Sequence, residues 1–563
     1  MDKAEQCLFR LSTALRGILT LALFSLLFGS IALAQGVGGR ASGRVTDPSG
    51  AIIPGVQILA QDVNTNVTTS AKTDSSGYYA LQLSSGKYTV TVTANGFETL
   101  KQENVSVTIG GDLGLDFHLT IASSRTVVEV HGEASSELLT PNTTAVQTTV
   151  NNDLVSTMPV EVSGTLRNAV TFLKLEPGYN GTSLNGGNPG DAPTTVDGAD
   201  VSGSGFGAGQ QTVGWAMPVP SFAVQEFQVV GSNADASVGR TPTGSVAYAL
   251  KSGTNQLHGD AFEYNRNTIY DAKNWFEPSR GVDRENEFGF DLGGPIKRDK
   301  AFFYGYYDGF RYTASNTGTF YTLLTPAMKQ GDFSSADNYN ANIPPIYDPS
   351  TTEPNGSGGF TRQQFSCNGV LNVICPDTIS PVSAYFASLF PNPNIPGQIA
   401  NNYKGTSSTS NNFDQFLGKV DYVASATSRF SFSFNRQSNP ETGFSSFFPA
   451  CPFGLACGAL ITNFKGDRAI ANWYKTISSG KVNHALLSFN ILYFFMHFGG
   501  QQSVTVGNNY NAMAGLGFVD GSGFAHLSAG SYYLGGGSNI NKIAHSVAKF
   551  KDDFSWEHGS HNM

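Results

Sequence analysis

Two hydrophobic patterns alternate along this chain. In Arg429–Arg436 (RFSFSFNR), Phe430, Phe432 and Phe434 fall on one side of an extended chain, and Ser431, Ser433 and Asn435 on the other. Lys549–Trp556 repeats the pattern with one exception, Asp552, on the apolar side. Phe416, Gly418, Val420 and Tyr422 likewise oppose Leu417, Lys419 and Asp421. Successive side chains of a strand point to opposite faces, so each segment predicts a strand with one aromatic and one polar face. Recurring from Leu257 onward, with aromatics at strand ends, the pattern predicts an antiparallel membrane barrel, apolar outward and polar inward. Lipid cannot pair a free backbone N–H or C=O, so a spanning sheet must close on itself. A soluble β-sandwich array explains the alternation but not an apolar face left bare on strand after strand.

The second pattern lies near the N-terminus. In Tyr88-Thr-Val90-Thr-Val92-Thr-Ala94 the apolar residues face one way and the threonines the other. Similar short strands recur about every ten residues from Gly43 to Ile121. Between them lie turn signals: Asp47-Pro-Ser-Gly50, Asp74-Ser-Ser-Gly77, Ser85-Gly86 and Asn95-Gly96. This predicts a small β-sandwich with one modest core. Between sandwich and barrel, residues 134–255 form a Gly-rich mixed region. Its best strand is Val224–Val230, and a short helix is expected around Gly164–Leu173. The fold class is therefore mainly β.

Ahead of these, Lys3, Arg10 and Arg16 precede an apolar run, Ile18–Leu33, that closes on Ala32-Leu33-Ala34. A basic start, a short apolar run and a small-x-small site predict a secretory signal peptide over 1–34, cleaved between Ala34 and Gln35. Composition then narrows the classes. Charged residues are 14%, aromatics 12% and Gly 64 of 563, with a formal net charge of −9. The chain is too aromatic and too poor in charge for disorder. It is acidic and has no Lys/Arg cluster, which excludes a nucleic-acid partner. Of five Cys, Cys7 leaves with the signal. Cys367/Cys375 and Cys451/Cys457 form two close pairs in Pro/Gly/Asn-rich stretches, about 313–410 and 437–465. In an exported protein two short disulfide loops are the natural expectation, with cross-loop pairings still open. Neither pair has C-x-x-C spacing or a nearby His, which argues against a metal. Bacterial barrels carry long loops outside the cell, so both pairs are expected to be extracellular.

Catalytic motifs are lacking. Gly203-Ser-Gly205-Phe-Gly207-Ala-Gly209 neither follows a clear strand nor opens a βαβ unit, and no Lys-Ser/Thr ends it, so a plug loop is expected. Asp197 and Asp200 are expected around an Asp197-Gly198 turn rather than as an acid/base pair. Glu557, His558 and His561 are expected at a surface strand end. No G-x-S-x-G or H-E-x-x-H occurs. No enzyme, cofactor or metal is expected.

Three sets of residues carry family resemblances. Gly43-Arg-Val45-Thr-Asp47-Pro-Ser-Gly50, Pro54-Gly55-Val56, Thr73–Tyr79, Gly86-Lys-Tyr88 and Gly96-Phe97 resemble the carboxypeptidase regulatory-like domain. That family implies a seven-stranded, prealbumin-like sandwich of the carbohydrate-binding-like fold class. Thr195-Val-Asp197-Gly198 and Gly244–Asn255 resemble the plug of TonB-dependent outer-membrane transporters. Lys251-Ser-Gly-Thr-Asn255, Leu257–Asn267, Asn286–Gly289, Gly293-Gly-Pro-Ile296 and Asp299–Tyr304 resemble its Oar-like branch. The resemblance covers residues 40 to 563. After the signal peptide (1–34), it implies the sandwich (40–121), a linker (123–133), an α+β plug (134–255) and the N-terminal part of an outer-membrane barrel (256–563). It also implies uptake energised by the TonB complex. Within the linker, Thr126, Val127, Val128, Glu129 and Val130 read alone as an ordinary edge strand; by their position they also look like a TonB box, which pairs with its partner as an added strand. We count ten to twelve strands after residue 256 against about 22 in a plugged transporter, and the chain stops in a turn. A fragment that forms no pore alone is therefore expected. Asn, Ser, Tyr and Phe in the long loops suit a glycan by stacking and hydrogen bonding, but also suit other extracellular ligands, so the substrate is not readable. The rival functions are a surface adhesin or export protein with the sandwich as binding module, and a secreted soluble β-protein.

Overall fold

The computed structural model describes residues 38–122, 127–130, 146–151, and 164–562 with interruptions. Outside the described residues lie 1–37, 123–126, 131–145, most of 152–163, 202–218, 233–242, 443–459, 499–527, 534–540 and a few shorter stretches. The proposed cleavage site Ala34/Gln35, Thr126, the glycines 203–209, Cys451 and Cys457 all fall there.

The sandwich has eight strands: β1 (Gly39–Thr46), β2 (Gln57–Asp62), β3 (Thr68–Lys72), β4 (Tyr78–Leu83), β5 (Gly86–Thr93), β6 (Thr99–Val107), β7 (Asp112–Gly114) and β8 (Phe117–His118). The eighth arises because the last edge is split into the short pieces β7 and β8, which both pair parallel with β1. One sheet runs β4-β1-β7; the other runs β3-β2-β5-β6 and gains β9 (Val127–Val130) on its edge. Tyr88, Val90 and Val92 enter the core with Tyr79, Leu81, Leu83 and Phe117, while the alternating threonines stay outside it. Each such burial contributes roughly 1.5–3 kcal/mol. The turns follow their residues. Asp47 Oδ1 accepts the N–H groups of Ser49 and Ala51, and Asp74 Oδ1 those of Ser76 and Tyr78. Gly50 and Gly77 take the left-handed conformation that closes each turn.

The plug is a mixed sheet ordered β10-β13-β14-β11-β12. Its strands are β10 (Val146–Asn151), β11 (Thr194–Val196), β12 (Ala199–Asp200), β13 (Val224–Ser232) and β14 (Ser245–Leu250). The helix expected at 164–173 is a 3-10 helix at Ala169–Leu175, with Leu173 and Phe172 in the core.

The third sheet contains β15 (Ala261–Asn267), β16 (Asp283–Lys297) and β17 (Ala301–Tyr321). After a long excursion holding the two-residue strands β18 (Glu353–Pro354), β19 (Phe360–Thr361), β20 (Ser366–Cys367) and β21 (Val370–Leu371) come β22 (Tyr403–Ser425), β23 (Ser428–Thr442), β24 (Leu460–Ser478) and β25 (Lys481–Phe498). Two more short pieces, β26 (Ser528–Ala529) and β27 (Tyr532–Tyr533), precede β28 (Asn541–His558) and β29 (His561–Asn562). The order is β15-β16-β17-β22-β23-β24-β25-β28-β29, and every neighbouring pair is antiparallel. Nine strands stand in this sheet among the described residues, where ten to twelve were expected. The reason is length. Most run 15 to 23 residues, against the ~9–11 needed to cross a bilayer. Polar stretches that resembled loops continue the ladders instead.

The expected facing holds. Phe430, Phe432 and Phe434 lie on the exposed face, while Ser433, Asn435 and Gln437 are buried on the other. Phe288, Phe290 and Leu292 are exposed, and Glu285, Glu287 and Asp291 between and before them are buried. Outward aromatics meet across strands: Phe430 stacks on Trp473 with ring centroids 6.2 Å apart, and Tyr307 meets Phe416 at 4.7 Å. Asp552, the exception, accepts the Asn483 amide at 2.8 Å near the end of β28. Connections alternate in length. At one end they are short: Arg298–Lys300, Ala426–Thr427 and 479–480. At the other they are the long stretches 268–282, 322–402, 443–459 and 499–540. The Cys367–Cys375 disulfide forms within 322–402.

Candidate functional site

The plug fills the polar side of this sheet. Its core residues Val196, Phe227, Tyr248 and Leu250 are continuous with the inward Tyr304, Tyr306, Leu417, Ile470 and Leu486 of the barrel wall. Around that apolar contact, among the described residues, stand four ion pairs, each joining plug to wall. Asp197 and Gly198 both have positive φ, at 42° and 76°, as a type I′ turn between β11 and β12 requires. The turn carries the Asp197 carboxylate to within 3.0 Å of Lys419 Nζ, with both side chains buried. The other Asp197 oxygen accepts the Leu250 N–H at 3.0 Å, and Lys419 also donates to the Leu250 carbonyl at 3.2 Å.

Asp200 meets Lys549 at 2.6 Å in a more exposed pair. Lys251 lies 3.3 Å from Asp291, whose carboxylate also accepts the Tyr304 hydroxyl and the Asp260 N–H. Arg167 lies 3.4 Å from Glu287 and covers the Tyr264 ring. Beside it, Gly164 donates its N–H to Glu285 at 2.9 Å. A buried pair is costly to break on one side, by about 3–5 kcal/mol, whereas an exposed pair contributes about 0–1 kcal/mol. Asp197–Lys419 is therefore the principal polar tie.

The Asp197-Gly198 turn forms as expected; the reach of its carboxylate to Lys419 was not anticipated. The available signal was a lone Lys on the inward face of an alternating strand, which inside a barrel requires a partner. Asp197 and Asp200 do not converge as a catalytic pair: each faces a different lysine. Glu557, His558 and His561 fall where β28 turns into β29, with His558 opposite His561 in the ladder. Of the proposed TonB box, Val127–Val130 form β9, which pairs parallel with Thr99–Gln102 of β6.

On the sandwich side of the plug, Glu226 of β13 accepts the Ser85 hydroxyl, and the Ile109 N–H at 3.3 Å. Burial pushes its carboxyl up to about 7, and the Ser85 and Ile109 hydrogen bonds only partly oppose this.

Comparison with known proteins follows this division. The outer membrane beta barrel domain family matches residues 249–563, more than half of the chain, and the carboxypeptidase regulatory-like domain matches residues 40–120. The TonB-dependent transporter Oar of Myxococcus xanthus is 23% identical over 299 residues, covering 50% of this chain and 27% of that protein. Among solved structures, the outer membrane transporter YddB from Escherichia coli aligns with a TM-score of 0.42 at 10% identity, over 73% of this chain and 45% of that one. A mutant of the ferric enterobactin receptor PfeA from Pseudomonas aeruginosa aligns at 0.37 and 12% identity, over 73% and 46%. This chain thus spans about a quarter of the curated relative and less than half of these two transporter structures.

Proposed function

This chain belongs to the outer membrane beta barrel domain family, and from that premise we propose that it serves TonB-dependent transport of an extracellular substrate across the bacterial outer membrane. The observation that carries this reading is a separate domain seated on the polar inner wall and held there by ion pairs, foremost Asp197–Lys419. Charged contacts re-form after displacement and fix the plug's register against the wall around the shared apolar contact. The surrounding lipid would bind the outward Phe face. Substrate would be taken up at the long-loop end, and the TonB complex would pair with Thr126–Val130 at the other. Transport by the TonB-dependent transporter Oar, a partial relative, supports the same reading.

The test is deletion of residues 124–131 in the full-length protein. Uptake should vanish while substrate binding to cells persists; undiminished uptake would reject the box. A second reading, surface adhesion or export, draws on the ordered stretch 322–402, which is stapled by Cys367–Cys375 and displays the exposed aromatic Phe360. Retained cell-surface attachment without TonB-dependent uptake would favour it.

A further inference from the structure

The sandwich lies against the short-turn end of the barrel and touches both other domains. Toward the plug, Ser85 and the Ile109 N–H reach Glu226, and Gly110 closely approaches Gln228. Toward the barrel entrance, Tyr88 of the sandwich meets Arg429 of the wall, and Asn255 makes the more extensive junction. The Asn255 N–H donates to the Asn64 carbonyl at 3.1 Å. Its side-chain amide donates to the Thr65 carbonyl and to Asp299, both at 2.6 Å, and its side-chain oxygen accepts the Asp299 N–H at 2.9 Å. Asp299 sits in the tight β16–β17 turn. The three domains together line a half-open cavity of about 200 Å³. Asn64 and Tyr88 of the sandwich, Gly253 of the segment after β14, and Tyr422 and Arg429 of the wall line it. Asp197 and Lys419 border the same cavity, so the principal plug–wall tie lies directly beneath the sandwich.

We propose that the β-sandwich is a lid over the short-turn mouth of the barrel, which must lift before the plug can yield. The proposal rests on the transport reading for its purpose, though not for its geometry. The lid's ties are polar and few, so it can open without exposing a core; its own core is complete within the two sheets. The lid also carries β9 on its β6 edge. A pull applied to the linker there loads the sandwich before it reaches β10 of the plug.

The test has two arms, both in the full-length outer-membrane protein. In the first, Thr65→Cys and Asp299→Cys, which flank the Asn255 amide, are oxidised to lock the lid. Uptake should fall at least tenfold with surface binding unchanged, and reductant should restore it. Each single variant under the same treatment should transport normally. Undiminished uptake by the locked protein overturns the lid. In the second arm, Ser252→Cys, lining the cavity, is labelled in isolated membranes by a water-soluble maleimide. Adding Asn255→Ala should speed labelling at least tenfold over the locked form, and equal rates overturn the lid. If the unmodified protein takes up nothing, the transport reading fails, and the labelling arm alone decides the lid.

Discussion

The sandwich and the barrel wall are both antiparallel sheets written in the same period of two, and they face opposite ways. In β5 the apolar set, Tyr88, Val90 and Val92, is buried and the threonines look out. In β23 the apolar set, Phe430, Phe432 and Phe434, looks out and Ser433, Asn435 and Gln437 are buried. Alternation alone fixes that a strand has two faces; the surroundings decide which face is inside. The sandwich resolves this with water outside and a hydrocarbon core. The wall resolves it with a polar interior occupied by a second domain, leaving the aromatic face for lipid.

That contrast can be broken from either side. Val90→Asp should destabilise the sandwich by roughly 4 kcal/mol or more, since it buries an unpaired charge. The check is protease sensitivity of residues 40–121 in an otherwise intact protein. Phe432→Arg, the same offence on the other sheet's apolar face, should cost about 2–4 kcal/mol in lipid and almost nothing in water. Refolding into bilayers, followed by denaturant titration, separates the two. The polar interior is tested next. Lys419→Met strands buried Asp197 and should loosen the plug by about 3 kcal/mol, whereas Lys549→Met, at an exposed pair, should cost below about 1 kcal/mol. Plug-residue hydrogen exchange measures both.

The sandwich–plug junction should also titrate. The Glu226 carboxyl is raised from 4.5 to about 7 in the folded protein, so docking favours its neutral form. That contribution is complete below about pH 4.5 and is lost as pH rises through about 7, by at most about 3 kcal/mol. Glu226→Gln should flatten the dependence. Hydrogen exchange at Ser85 and Ile109 between pH 5 and 8 reads it directly.

Much of this was legible locally. The Phe430–Phe434 alternation, the Asp-Pro-Ser-Gly and Asp-Ser-Ser-Gly turns and the Val224 strand each lie within a few residues, and local patterns record local geometry. The ion pairs of the plug were not legible. Asp197 and Lys419, or Lys251 and Asp291, meet only because two domains nest, and no short-range pattern records that. Nor could the linker's own sequence reveal that β9 would lie along β6, because a short apolar strand fits many edges. Strand count erred for a related reason: Asn- and Ser-rich segments such as 404–412 resemble loops, yet their backbones pair as well as any others once a neighbouring strand is in place.

The claim that underlies the rest is that the aromatic face of the wall meets lipid. Spin labels placed one at a time at positions 430–435 of the full-length protein in membranes, with relaxation by oxygen and by a polar nickel chelate, test it position by position. Oxygen accessibility should peak at 430, 432 and 434 and dip at 431, 433 and 435, with the nickel chelate excluded from the peaks. High nickel accessibility at 430, 432 and 434, or a profile without the two-residue period, would contradict it.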